Sequence, residues 1–275
     1  MCYSITSHIE SPLGKNAIHR TCDYEMSASD DIVKATKEKH RIRPLALTEL
    51  ESPLPSMTYL SGFGEMTVTT GYVWYIAGPK ENIIVDTGGK AETLSMLGYP
   101  ARDLQSPENA LNKLGLGCED IDIVVLTHLM FDHFEYAKKF KNARFVVQKN
   151  ELEYARNPHP FMQYFYLPIQ NLVSEVDFDI VDGDKQIVNG VKVLLTPGHT
   201  PGTQSVAIET EKGIAVITGF CCIKENFIGG VWPVTPPGIH VNATQAYDSM
   251  LKVKEIADII IPLHESTFAK REAIP

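Results

Sequence analysis

A run of β-forming residues from Ile121 to Leu126 stops abruptly, and His128, Asp132 and His133 follow within a few positions. An apolar run this short reads as a buried strand. Imidazoles and a carboxylate bunched just past its end sit where an α/β sheet exposes its loops. Neutral imidazole and carboxylate are ligands that a borderline cation such as zinc takes. Two positions after His128, where a further histidine would be expected, the chain has Met130. A thioether is a poor ligand for a hard or borderline cation.

Composition narrows the classes. The chain has 275 residues, 44% of them hydrophobic, enough for one large core or two small ones. No apolar run approaches the ~20 residues of a membrane span. The first residues lack a basic flank and an apolar signal core, so cytoplasm is the expected location. The five cysteines are odd in number and two are adjacent, Cys221 and Cys222. That is no disulfide framework, and no zinc-finger spacing occurs. A net charge of −9 argues against a nucleic-acid partner, since phosphate binding needs clustered Lys and Arg. The basic run from Lys34 to Arg43 reads as a solvated helix face.

Residues 1–55 look unlike the rest. They are polar, broken by Ser-Pro and Pro-Leu-Pro, with one short helix expected near Asp31–Lys39. They read as an extension that wraps on the body or engages a partner subunit to make a homodimer. Residues 56–275 read as the catalytic domain. Strands are expected at 57–62, 65–70, 72–78, 82–86 and 121–126, then at 143–148, 178–181, 186–188 and 191–195. A hairpin follows around Thr210-Glu-Lys-Gly213, with a last strand at 259–261. Helices are expected at 106–114 with Ser106 as cap, at 134–140, from Lys149, and at 243–257 with Asn242 as cap. Two rounds of strands then helix give α/β or α+β.

The residues quoted above, with four further stations, resemble the metallo-β-lactamase superfamily. His128-Leu-Met130-Phe-Asp132-His133 looks like its HxHxDH motif with the second histidine replaced. Ile83-Ile-Val-Asp86-Thr-Gly-Gly89 resembles its strand-end aspartate motif, and Thr196-Pro-Gly-His199 its third metal-histidine loop. Ile217-Thr-Gly219-Phe220 lies where the superfamily has Thr-Gly-Asp. Pro262-Leu-His264 resembles its final histidine. Each station alone is weak; together they keep the superfamily's order across residues 83–264. Tyr72-Val-Trp-Tyr-Ile76 and Lys224-Glu-Asn-Phe227 look like the N-acyl homoserine lactonase branch in particular. The resemblance implies an α+β fold, a four-layer αββα sandwich with the metal at one edge of two sheets.

It also implies roles. His128, Asp132, His133, His199 and His264 are the metal ligands it carries over, with Asp132 also catalytic. Asp86 orients ligands from behind, as outer partners in metal sites do. In the superfamily the first, second and third motif histidines share one metal. The aspartate, the last motif histidine and the final histidine share another, and a later aspartate bridges the two. Met130 removes one ligand here. The bridge falls on Gly219 or Phe220, and neither binds metal through its side chain. One half keeps His128 and His199; the other keeps Asp132, His133 and His264. Three protein ligands plus water suffice for a catalytic zinc. Cys221 or Cys222 could supply an extra thiolate, although small buried residues fit both positions. Restoring ligands with Met130→His plus Gly219→Asp or Phe220→Asp is expected to raise metal content toward two.

The expected function is a metal-dependent hydrolase holding one zinc, with iron or manganese as alternatives. A metal-activated water would attack an ester, lactone or amide carbonyl of a small acyl or aromatic substrate. Phe161, Tyr164, Tyr166 and Trp232 are expected to wall the substrate pocket. The lactonase branch also has a tyrosine shortly before its Lys-Glu-Asn; that position is Cys222 here. Two rivals remain: a non-hydrolytic iron or manganese enzyme on the same fold, and a binding protein without turnover.

Overall fold

The computed structural model describes residues 39–275. The expected helix near Asp31–Lys39 lies outside the described residues but for Lys39, as does the first half of the basic run, 34–38; in the other half Arg41 and Arg43 lie on a strand, not on a helix face. In chain order the elements are β1 (Arg41–Pro53), α1 (Leu54–Met57), β2 (Met66–Ala77), β3 (Asn82–Val85), α2 (Ala91–Met96), β4 (Ala101–Asp103) and α3 (Pro107–Asn112). There follow β5 (Ile123–Val125), α4 (Phe131–Phe134), β6 (Arg144–Gln148), α5 (Lys149–Arg156), α6 (Gln170–Glu175) and β7 (Phe178–Val181). The chain continues through β8 (Lys185–Val188), β9 (Val191–Leu195), β10 (Gln204–Thr210), β11 (Gly213–Ile217), α7 (Ala243–Ile256) and β12 (Ile259–Ile261).

The strands form two mixed sheets. One has seven strands in the order β4-β1-β2-β3-β5-β6-β7, the other five in the order β12-β11-β10-β9-β8. From β3 through β7 the first sheet is parallel, and β12 joins β11 in parallel.

Alternation along the strands builds the layers, because successive side chains point to opposite faces. Ile83, Val85, Ile123 and Val125 turn inward and meet Val193, Val206, Ile208 and Ile217 of the second sheet in one buried cluster. Ile84 and Val124 turn outward onto Leu111, Phe131 and Leu152 of the helices. On the far side, Leu194, Ala207 and Val216 pack against Met250 and Val253 of α7. The layers are therefore helices, sheet, sheet, helix, the αββα sandwich implied above. The two expected caps are present: Ser106 accepts from the Asn109 amide and Asn242 from the Gln245 amide. Among the described residues no helix is long and apolar enough to cross a membrane.

The strands expected at 65–70 and 72–78 are one strand, β2, and in place of a helix at 134–140 α4 ends at Phe134 with a single 3-10 turn after it. Two further expectations fail for backbone reasons. Residues 57–62 form no strand, because α1 ends at Met57 and Leu60 and Gly62 take positive φ, which turns the chain. Residues 41–53, read with the extension, form β1 inside the first sheet and pair with β2 from Arg41 to Pro53. Among the described residues Pro44 pairs only with Trp74 of β2, since β4 reaches just Thr48–Leu50 and the C-terminal segment bridges only Ile42, through Ile274. A proline there costs no ladder bond on the open side.

Candidate metal centre

Four strands deliver the functional residues from their carboxyl ends to one edge of the sandwich. Asp86 follows β3, His128 follows β5, His199 follows β9 and His264 follows β12. Asp132 and His133 ride on α4, one turn beyond His128. His128, His133, His199 and His264 are all buried.

The rings are packed against one another. His128 and His133 have centroids 4.2 Å apart, His128 and His199 4.7 Å, and His133 and His264 5.2 Å. His133 Nε2 lies 3.1 Å from Asp132 Oδ2, and His264 Nε2 lies 4.0 Å from the same oxygen. Among the described residues one set of three metal-ligating types has ligand atoms all within 4.8 Å: Asp132, His133 and His264. His264 donates from Nδ1 to the Thr70 carbonyl at 3.2 Å, and its Nε2 is buried with no hydrogen-bond partner among the described residues. An unpartnered buried nitrogen facing a carboxylate fits a cation, since buried polar atoms otherwise find partners.

Asp86 organises the cluster from behind. It adopts a φ of 60°, a left-handed conformation that aspartate tolerates better than most residues. Its carboxylate accepts His133 Nδ1 at 2.8 Å and the Thr127 amide at 2.7 Å. The Thr127 hydroxyl lies 2.8 Å from Asp86 Oδ2 and must donate there, because two bare oxygens at that distance repel. Thr127 then accepts from His128 Nδ1 at 3.0 Å. His199 Nδ1 donates to the Ile239 carbonyl at 2.7 Å. The lone pairs on His128 Nε2 and His199 Nε2 consequently face each other across 3.2 Å. Two lone pairs so placed are the start of a cation site, but among the described residues no third metal-ligating side chain completes it.

Charge follows burial and partners. Burial disfavours the Asp132 carboxylate, yet the His133 and His264 imidazoles outweigh it and hold its pKa far below the usual range. Burial likewise opposes a charge on His133, but Asp132 and Asp86 raise its pKa to about 10. Burial lowers His199 and His264 to about 4 and pushes His128 down as well.

The remaining expected residues separate. Met130 lines a small cavity, about 50 Å³, beside the histidines, and so does Cys221. Cys222 points away, with its Sγ 3.1 Å from the Thr218 hydroxyl inside the α7 cluster. Phe220 lies in that same cluster, so residues 220–222 alternate out, in, out. Gly219 has no room for a side chain: a Cβ there would sit 2.1 Å from the Gln204 carbonyl oxygen. Cys221 Sγ faces Met57 Sδ at 3.7 Å, and burial raises its pKa well above that of a free thiol. It belongs to no ligand set among the described residues.

The expected pocket walls do not line this cavity. Phe161 is 78% exposed, Tyr164 is part-exposed, and Trp232 lies in a separate open groove with Tyr59 and Tyr247. Tyr166 is fully buried and donates to Glu151. The apolar walls are instead Leu50, Met57, Leu94, Tyr99, Phe165 and Ile239. The sequence reading missed Tyr99; it follows a turn at Gly98, which no motif marks. Phe165, within the aromatic stretch Phe161–Tyr166 expected to wall the pocket, is the one member of that stretch that lines this cavity.

Comparison with known proteins agrees with this fold. The metallo-beta-lactamase superfamily model matches residues 66–256, and the chain belongs to that superfamily. An N-acyl homoserine lactonase from a Bacillus species is 34% identical over 150 residues, 54% of this chain and 56% of the relative. A probable metallo-hydrolase from Methanocaldococcus jannaschii is 28% identical over 164 residues, 60% of this chain and 66% of the relative. The chain thus matches about half the length of its curated lactonase relatives. Among solved structures, a quorum-quenching N-acyl homoserine lactone lactonase superposes with a TM-score of 0.67 at 25% identity, covering 87% of this chain and 99% of that one. A lactone hydrolase with N-hexanoyl-L-homoserine at its catalytic metal centre gives 0.66 at 26% identity, covering 84% and 95%.

The Asp86–His133 bond yields one expectation here. Asp86→Asn keeps a residue that tolerates positive φ but removes the carboxylate behind His133. Metal affinity is expected to fall about 10–100-fold with little change in melting temperature. Titration of the metal-free variant by calorimetry measures it; an unchanged affinity would remove Asp86 from the site.

Proposed function

We propose that this chain is a metal-dependent hydrolase that opens a lactone or ester of a small acyl-bearing substrate. One firmly held metal would sit between Asp132, His133 and His264. The observation that carries this reading is the convergence of those three ligand atoms, with His264 Nε2 buried and unpartnered. Such an ion supplies a Lewis acid and an activated water at neutral pH.

The chain's own groups do the rest. Asp132, kept ionised by its imidazole neighbours, is both ligand and proton acceptor. Asp86 and the Thr70 carbonyl fix His133 and His264 through Nδ1, so each presents Nε2 to the site. Leu94, Phe165 and Ile239 give the adjoining cavity an apolar wall, the kind of wall an acyl-bearing substrate needs. The lactonase relatives point the substrate toward lactones. Met130 and the cramped Gly219 favour one firmly held ion over two.

The test is hydrolysis of a panel of N-acyl homoserine lactones and aryl esters by the purified chain. Activity is expected with zinc, is lost on chelation and returns with metal. Metal-loaded protein that opens neither class would overturn the reading.

A further inference from the structure

Glu151 is a fully buried carboxylate that the proposed chemistry does not use. It lies in the first turn of α5, away from the ligand set. Its Oε1 accepts the Leu129 amide at 2.9 Å and the Tyr166 hydroxyl at 3.1 Å. Its Oε2 accepts the Thr200 hydroxyl in a short bond. Leu129 directly follows His128, and Thr200 directly follows His199. The two loops leave different sheets, β5 in the first and β9 in the second. Glu151 therefore ties together the two loops whose histidines face each other across 3.2 Å. The backbone confirms the closeness of the tie: a Cβ on Gly202 would lie 2.1 Å from the Glu151 amide nitrogen.

We infer that Glu151 is a positioning residue: it fixes the spacing of His128 and His199 by clamping Leu129 and Thr200 onto one carboxylate. A buried carboxylate that makes no ion pair among the described residues is costly unless donors satisfy it, and here the Leu129 amide and the Tyr166 and Thr200 hydroxyls do so. No metal is needed for this inference; only its kinetic arm rests on the proposed hydrolase activity.

Three variants separate positioning from plain stability. Glu151→Gln keeps the shape and one acceptor but loses the second carboxylate oxygen. Thr200→Val cuts the tie to the His199 loop alone. Tyr166→Phe removes a bond to Glu151 that reaches neither loop. The readout is the imidazole nitrogen spectrum of histidine-labelled, metal-free protein, together with melting temperature. Glu151→Gln should move the His128 and His199 resonances and leave those of His133 and His264 in place. Thr200→Val should move His199, and Tyr166→Phe neither, although it also weakens the buried network. In zinc-loaded protein, Glu151→Gln should lower kcat/KM, because His128 and His199 line the proposed substrate cavity, while the metal held by Asp132, His133 and His264 stays at the wild-type amount. If the three variants lower stability alike while all four histidine signals stay put, Glu151 is only a structural residue and the inference is wrong. If Glu151→Gln folds and moves no histidine signal, the inference also falls. A wild type inactive on every lactone and ester would overturn the hydrolase reading and leave the spectral result intact.

Discussion

Replacing Asp132 or His264 by alanine is expected to empty the proposed metal site and to lower kcat/KM on the order of 10³-fold or more. Each is one of three ligands whose atoms lie within 4.8 Å. Removing one leaves two, too few to hold a catalytic zinc. His128→Ala is expected to behave differently and keep most of its metal. His128 faces His199, not the ligand set, and its removal takes one lone pair from a two-imidazole pair. Metal content after dialysis, with circular dichroism to confirm folding, reads the contrast. If His128→Ala empties the site and His264→Ala does not, the firm metal sits in the other half.

Restoring the superfamily's missing ligands is expected to fail, contrary to what the sequence alone suggests. Met130 does line the cavity, so Met130→His places an imidazole where a ligand would go. The bridging carboxylate is the obstacle. At Gly219 a Cβ meets the Gln204 carbonyl carbon at 2.8 Å as well as its oxygen, and backbone cannot step aside as a flexible side chain does. Gly219→Asp should therefore cost about 1–3 kcal/mol or more in overpacking. Phe220→Asp puts a carboxylate among Met250, Val253 and Val234. It should cost at least the ~3–5 kcal/mol of losing a buried Phe, with an unpaired buried charge added. Neither double variant with Met130→His should hold a second ion through dialysis. Urea unfolding and metal analysis check both halves. A stable Met130→His/Gly219→Asp protein with two retained metals would show that ligands, not packing, were missing.

What the sequence made legible were groups at strand ends. A short apolar run that stops at a turn is visible without coordinates, and Asp86, His128, His199 and His264 all follow such runs. Their meeting at one edge follows from the parallel ends of β3, β5, β9 and β12, which spacing does not reveal. Residues 41–53 are hard to read as a strand because Pro44 and scattered polar residues break the alternation, and their pairing is set by β2, which begins only at Met66. The pocket walls were misplaced for a similar reason. An aromatic run marks burial or exposure equally well, and Phe161, Phe165 and Tyr166 end on three different surroundings within six positions. The Cys221–Cys222 pair could be resolved only by knowing which face of residues 220–222 turns toward the cavity.

One firmly held metal is the proposed content of the site, because Met130 and Gly219 offer no ligand side chain to a second ion. The most direct test is metal analysis of the purified full chain, loaded with excess zinc and then dialysed. About one equivalent per chain is predicted, retained by Asp132, His133 and His264. Two equivalents that survive the same dialysis would contradict it.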